Sequence, residues 1–295
     1  MNTSSVSIVL NIANFRTQML QSLMDLGDDA SSSFADIMSR LQGGSDNALT
    51  APNLNAAVGG NAGLSSAGRN MTLSDPESAY TMMTRINVLD VAYKAQYSEL
   101  SQMDAYLPRI EEAAQRLGKI ASSDANEGIK TMLQDFAQQY NAWLQRFKPD
   151  LQSSGVLANT QAGEIPLYEL DQVIENPFIG AKNGFHGLAD LGINIDANSG
   201  LMSVNTSQLD AALASNKQAV VDAVNEFSAK FAASAHLLAS DDNLIQHRLN
   251  NLGGAISYID GNVGSWQAEF GSGDAANPVG EIARALAAYN NTFSI

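Results

Sequence analysis

Chemistry in this chain would have to start from its histidines, carboxylates and hydroxyls, and their spacing gives it little to work with. Three histidines occur, His186, His236 and His247, none at zinc-ligand spacing, so each reads as an ordinary surface or loop residue. The acid pairs Glu111-Glu112 and Asp241-Asp242 have the composition of an acid–base couple, yet they read more simply as solvated helix faces or N-caps. The run from Asn194 to Gly200 offers oxygen ligands at alternate positions, as a calcium loop does. There, however, Ser199 stands where the turn glycine belongs and Asn205 where the bidentate Glu belongs, so a hairpin turn is expected. Serine is abundant without a partner to activate it, and there is no phosphate loop, dinucleotide fingerprint or nucleophile elbow. The expectation is therefore no catalytic, cofactor-binding or metal-ligating residues, no cofactor, and no enzyme.

Composition narrows the class further. An apolar content of 45% across 295 residues supports a real core, while only 16% of residues are charged. The formal charge of −15 opposes phosphate tracking and adsorption on anionic lipid. No apolar run approaches the roughly 20 residues of a bilayer span. Neither nucleic acid nor a membrane is expected as a partner. Cysteine is absent, which removes disulfides and thiolate sites from consideration. Met1 to Phe15 lacks a basic n-region and is broken by Asn11 and Asn14, so it is a poor cleaved signal peptide.

What remains is helical patterning. Ile8, Ile12, Phe15, Met19, Leu23 and Leu26 form one stripe, continued after 28–33 by Phe34, Ile37, Met38 and Leu41. Gly, Ser, Ala and Asn then dominate 43–72, which reads as a flexible linker. Ser74-Asp75-Pro76-Glu77 has the form of a capping box opening a long helix, expected to break or kink at Pro108 and to be followed by a shorter one through Ile120. A second box, Asp124 to Glu127, predicts a helix burying Ile129, Leu133, Phe136, Tyr140, Trp143 or Leu144, and Phe147, and stopping at Pro149. A short helix near 166–175 precedes Gly-rich turns. Two short β segments, 192–196 and 200–205, then form a hairpin, and helices follow at 207–215 and 217–239. Ile245, Leu249, Leu252, Ile256, Ile259, Val263, Trp266 and Phe270 alternate four and three apart despite Gly253 and Gly254, which predicts a seam facing another helix. After a loop at 271–277, Pro278 would sit in the first turn of a last helix carrying Val279, Ile282, Leu286, Tyr289 and Phe293.

The middle of the chain resembles a known family. Phe136-Ala137-Gln138-Gln139-Tyr140-Asn141-Ala142-Trp143-Leu144, the step Gly155-Val156-Leu157, the run Leu188 to Leu201 through Gly192-Ile193 and Gly200, Leu209 to Asn216 and Val220-Val221 occur in that order. Over about 126–240 this order is similar to the C-terminal region of the flagellar filament cap, or hook-associated protein 2, family. The resemblance implies that 74–121 corresponds to that family's N-terminal leg helices. It also implies that the two ends correspond to the terminal coiled segments of axial proteins, disordered in the monomer and helical in the assembly. Family members usually carry β-rich head domains between their leg helices, whereas only Ala121–Asn126 fills that gap here.

The resulting expectation is a mainly α protein, a long helical bundle or coiled-coil rod with a small β-hairpin insertion. Its spans are an assembly segment at 1–42, a linker at 43–73, a leg-like core at 74–240 and a coiled-coil-like assembly segment at 241–295. Its work would be helix–helix self-association in an extracellular flagellar axial structure, reached without a cleaved signal peptide. Partners implied by the resemblance are further copies, flagellin, hook-associated proteins and an export chaperone. The expected contact residues are Ile12, Phe15, Met19 and Leu23 in one seam and Leu249, Leu252, Ile256, Ile259, Val263 and Trp266 in the other. Two rival readings stand beside it, a secreted adhesin using 150–205 and an intracellular helical scaffold or export chaperone.

Overall fold

The computed structural model describes residues 67–175 and 185–293. The N-terminal stripe, its break at 28–33 and most of the expected linker lie outside the described residues. The order of elements is α1 (Pro76–Leu117), α2 (Asn126–Leu151), α3 (Gln161–Glu175), a 3-10 turn (Leu188–Leu191), β1 (Ile193–Ile195), β2 (Met202–Val204), α4 (Thr206–Leu238), α5 (Leu244–Phe270) and α6 (Gly280–Phe293). The described residues are thus mainly helical with one antiparallel hairpin, as the sequence predicts, in the register Ile193 opposite Val204 and Ile195 opposite Met202.

Helix starts and stops depart from the sequence reading in instructive ways. At α1 the cap is Asp75, whose Oδ1 accepts the Ser78 amide at 3.1 Å, and Pro76 occupies the first helical position. Glu77 is drawn off the expected capping box by Arg69, whose Nε and Nη2 donate to its two carboxylate oxygens at 2.6 and 3.0 Å. A forked charge-assisted pair outweighs one neutral amide bond. The start of α2 has no side-chain cap at all, because Asp124 instead closes a turn by accepting the Ala121 amide at 2.9 Å.

The prolines do not break the helices they were expected to end. Pro108 lies inside α1, flanked by Leu107 and Ile110 at 0% and 1% exposure. Burial on both sides offsets the hydrogen bond that proline removes. Pro149 lies inside α2, which continues to Leu151; there Arg146 Nη1 reaches forward one turn to the fully buried Asp150 at 2.9 Å. Nor does α3 start at Pro166; it begins at Gln161. Pro278 precedes α6 instead of entering its first turn.

The expected interruption near 216 is present. Asn216 leaves helical geometry (φ −154°, ψ 82°), and its side chain restarts the helix by accepting the Ala219 amide at 3.1 Å.

Contacts divide the chain into two compact units, one holding the described residues of 67–99, 153–156 and 248–293, the other those of 100–152 and 157–247. In the second, α2 buries Ile129, Leu133, Phe136, Tyr140, Trp143, Leu144 and Phe147, the face its spacing predicts. The rings of Phe227 and Phe231 on α4 meet Phe136 edge-on, with centroids 5.5 and 5.1 Å away. The Tyr140 hydroxyl donates to Asp171 on α3 at 3.1 Å, and burial, reinforced by that carboxylate, pushes the phenol well above its ordinary range.

Candidate assembly surfaces

The predicted C-terminal seam lies in the first unit, on α5. Leu249, Leu252, Ile256, Ile259 and Trp266 are all buried, between 2% and 8% exposed, and Val263 is half-buried. Ile259, Trp266 and Phe270 form one apolar cluster with Ala79, Met83 and Ile86 of α1, edged by Leu73, Met82, Tyr93 and Tyr258. At Ile259, Trp266 and Phe270 the seam therefore faces another helix, and that helix is α1 of the same chain. Ile12, Phe15, Met19 and Leu23 lie outside the described residues.

Two glycines explain how the chain leaves α5 against α1. Gly271 and Gly273 adopt left-handed φ values of +91° and +64°, and a Cβ on Gly273 would come within 2.5 Å of the Thr84 backbone nitrogen. Only glycine allows both the dihedral and the approach. The strand of chain so admitted is held by side chains of α1. Asn87 Nδ2 donates to the carbonyls of Ser272 and Asp274 at 3.0 and 2.7 Å, and Thr84 Oγ1 accepts the Asp274 amide at 2.8 Å. From the other flank the Gly273 amide donates to the Gly68 carbonyl at 3.0 Å, and Asn70 Nδ2 to that of Glu269 at 2.8 Å. The sequence predicts only a loop at 271–277, because the partners of Gly271 and Gly273 lie far away in the chain.

An ionic cluster ties α1 to α5 one turn further on. Lys94 Nζ bonds Asp90 and Asp260, each at 2.8 Å. Burial raises the Asp90 carboxyl above its ordinary value, against the pull of Lys94. Burial would depress Lys94, but its bonds to the two aspartates carry it upward. The last helix packs on the same unit through aromatic edges, with Tyr97 of α1 meeting Tyr289 and Phe293 at 5.9 and 5.2 Å. Gly253 lies beside that ring, since a Cβ there would sit 3.6 Å from Tyr97 Cε2.

In the second unit the hairpin is fixed to α2 by one amide. Asn141 Oδ1 accepts the Met202 amide at 2.7 Å and its Nδ2 donates to the Met202 carbonyl at 2.8 Å, imitating a neighbouring strand. The turn that resembled a calcium loop is an Asx turn. Asp196 Oδ1 accepts the amides of Asn198 and Ser199 at 3.1 and 2.7 Å and the Ser199 hydroxyl at 2.7 Å, and the bonds from Ser199 lower its carboxyl. Three donors of the turn thus converge on Oδ1. Among the described residues no group of His, Cys, Asp or Glu is placed to hold a metal ion, and no helix is long and apolar enough to cross a membrane. His186 and His236 sit beside Asp190 and Glu111, at 3.5 and 3.3 Å, with both imidazoles largely exposed.

Against known proteins, residues 118–272 match the family described as flagellar hook-associated protein 2 C-terminus, a span of more than half of the chain. The match extends beyond the resembling region at 126–240 to include all of α5. No curated protein and no solved structure matches the chain.

Proposed function

The chain belongs to the flagellar hook-associated protein 2 C-terminus family, and from that premise we propose that it is a structural subunit of the bacterial flagellum, of the cap or hook-associated type. The family match over 118–272 carries this reading. The mainly helical architecture with its single hairpin is consistent with it. In this reading the chain catalyses nothing. It works outside the cell, accompanied by an export chaperone until it assembles, and its partners are further copies, flagellin and other hook-associated proteins.

Self-association is assigned to the N-terminal stripe Ile12, Phe15, Met19 and Leu23. The α5 seam contributes to assembly by fixing the helices against which partners pack. Light scattering over a concentration series tests the assignment with the full chain beside an Ile12→Asp, Met19→Asp double variant. The wild type is expected to gain mass with concentration while the variant stays monomeric with an unchanged helical circular dichroism. A wild type that remains monomeric throughout, or a variant that assembles equally, overturns it.

A further inference from the structure

We propose that the corner formed by α3 with the end of α4 and the start of α5 is a docking surface for a second protein, one presenting a Leu- or Phe-sized anchor flanked by Lys or Arg. Leu237, Tyr168 and Leu244 are 69%, 60% and 46% exposed. Leu237 and Leu244 line a recess of about 330 Å³ together with Ile165, Pro166, Leu238 and Ile245. The exposure of Leu237 follows from helix phase: α4 buries Phe227, Phe231 and Ala235 at four-residue intervals, and Leu237 stands off that line. Tyr168 lies one turn along α3 from Ile165, so it extends the apolar rim on the same side. Clustered apolar exposure of this kind marks interaction surfaces, whereas single exposed leucines do not.

Charge decides what occupies the recess. Among the described residues its charged lining is Glu169 and Asp242, both acidic and exposed, with no cation. The whole chain carries a formal −15, so a second copy would add repulsion at this rim where a basic flank adds attraction. The volume is at the small end of the roughly 300–1,000 Å³ of ligand cavities, the scale of an anchoring side chain and not of an entire cofactor. Apolar contact at the floor supplies residence, and the two acids select the partner's sign.

Two short synthetic amphipathic peptides with one leucine stripe, one with lysine on the polar face and the other with glutamate, test this with the full chain by fluorescence anisotropy. The lysine peptide is expected to bind at least about tenfold tighter than its twin. A Leu237→Ser, Leu244→Ser double variant keeps every charge and loses only exposed side chains, so it separates the recess from general attraction to an acidic protein. It is expected to lose the binding, and Glu169→Lys with Asp242→Lys to invert the preference between the peptides. Equal binding of the two peptides, no binding by the wild type, or unchanged binding by the serine variant each overturns the proposal. So does a fall in the wild type's own oligomer mass on the serine substitutions, which would make a second copy the occupant.

Discussion

Ile256→Asp should unfold the first compact unit and leave the second intact. Ile256 is 3% exposed, with Leu252 one turn before it at 2% and Ile259 after it at 8%, so the new carboxylate would enter an apolar face. The lost burial is worth about 1.5–3 kcal/mol, and a buried charge left unpaired costs about another 3–5 kcal/mol. Relief from the nearby cation is slight, because Lys94 is already held by Asp90 and Asp260, and Asp260 is a like charge one turn along α5. A total above about 5 kcal/mol equals the whole stability of many domains. The chain has two tryptophans, and each reports one unit. Trp266 lies near Tyr258, ring centroids 5.7 Å apart, in the first, and Trp143 lies near Phe147 at 6.1 Å in the second. In urea titrations of Trp143→Phe and Trp266→Phe backgrounds, Ile256→Asp should leave the Trp266 signal unfolded without denaturant and the Trp143 transition in place. Ser257→Asp, the same charge on the exposed side, should change neither. A Trp266 transition displaced by less than about 1 kcal/mol would refute the reasoning.

Gly273→Ala should destabilise the first unit by about 2 kcal/mol or more, since the left-handed φ costs about 1–2 kcal/mol and the methyl meets Thr84 backbone 2.5 Å away. Gly128→Ala, with nothing near the new methyl, should instead stabilise α2 by up to about 1 kcal/mol; thermal unfolding distinguishes the two, and equal shifts would remove the steric argument. Asp90 gives a pH signature of definite sign. Its folded pKa is raised above the ordinary 3.8, so the unfolded chain releases the proton first and stability falls as pH rises from 3.8 through the raised value. Asp90→Asn should flatten that decline when Trp266 unfolding is followed between about pH 4 and 7, and an unchanged slope would assign it to another group.

Periodicity made most of this legible. The α2 face, the hairpin and the interruption at Asn216 follow from spacing, β-branched alternation and an Asn able to cap, and each is local. Boundaries failed where a local signal met a tertiary one. Glu77 is claimed by Arg69, eight residues away in sequence, and Pro108 and Pro149 are carried through by burial on either side. The Asn87 and Thr84 clamp joins residues separated by 185 to 190 positions. Nothing in the local spacing of Gly271 and Gly273 points to α1.

The α5 seam marks where pattern reading stops. A four-three repeat states that a face will be buried, because only burial rewards eight apolar side chains in one row. It is silent on whose surface does the burying, since a helix of the same chain and one from a neighbour satisfy it equally. The discriminating residues are off the seam: Lys94 between Asp90 and Asp260, Arg284 near Glu99 at 3.7 Å, and the glycines that bring the chain back onto α1. Once such polar fastenings fix the intrachain pairing, the apolar positions that remain exposed acquire meaning. Leu237 and Leu244 are informative because they stand off the buried lines of their helices, so these two lie outside the fold's own needs.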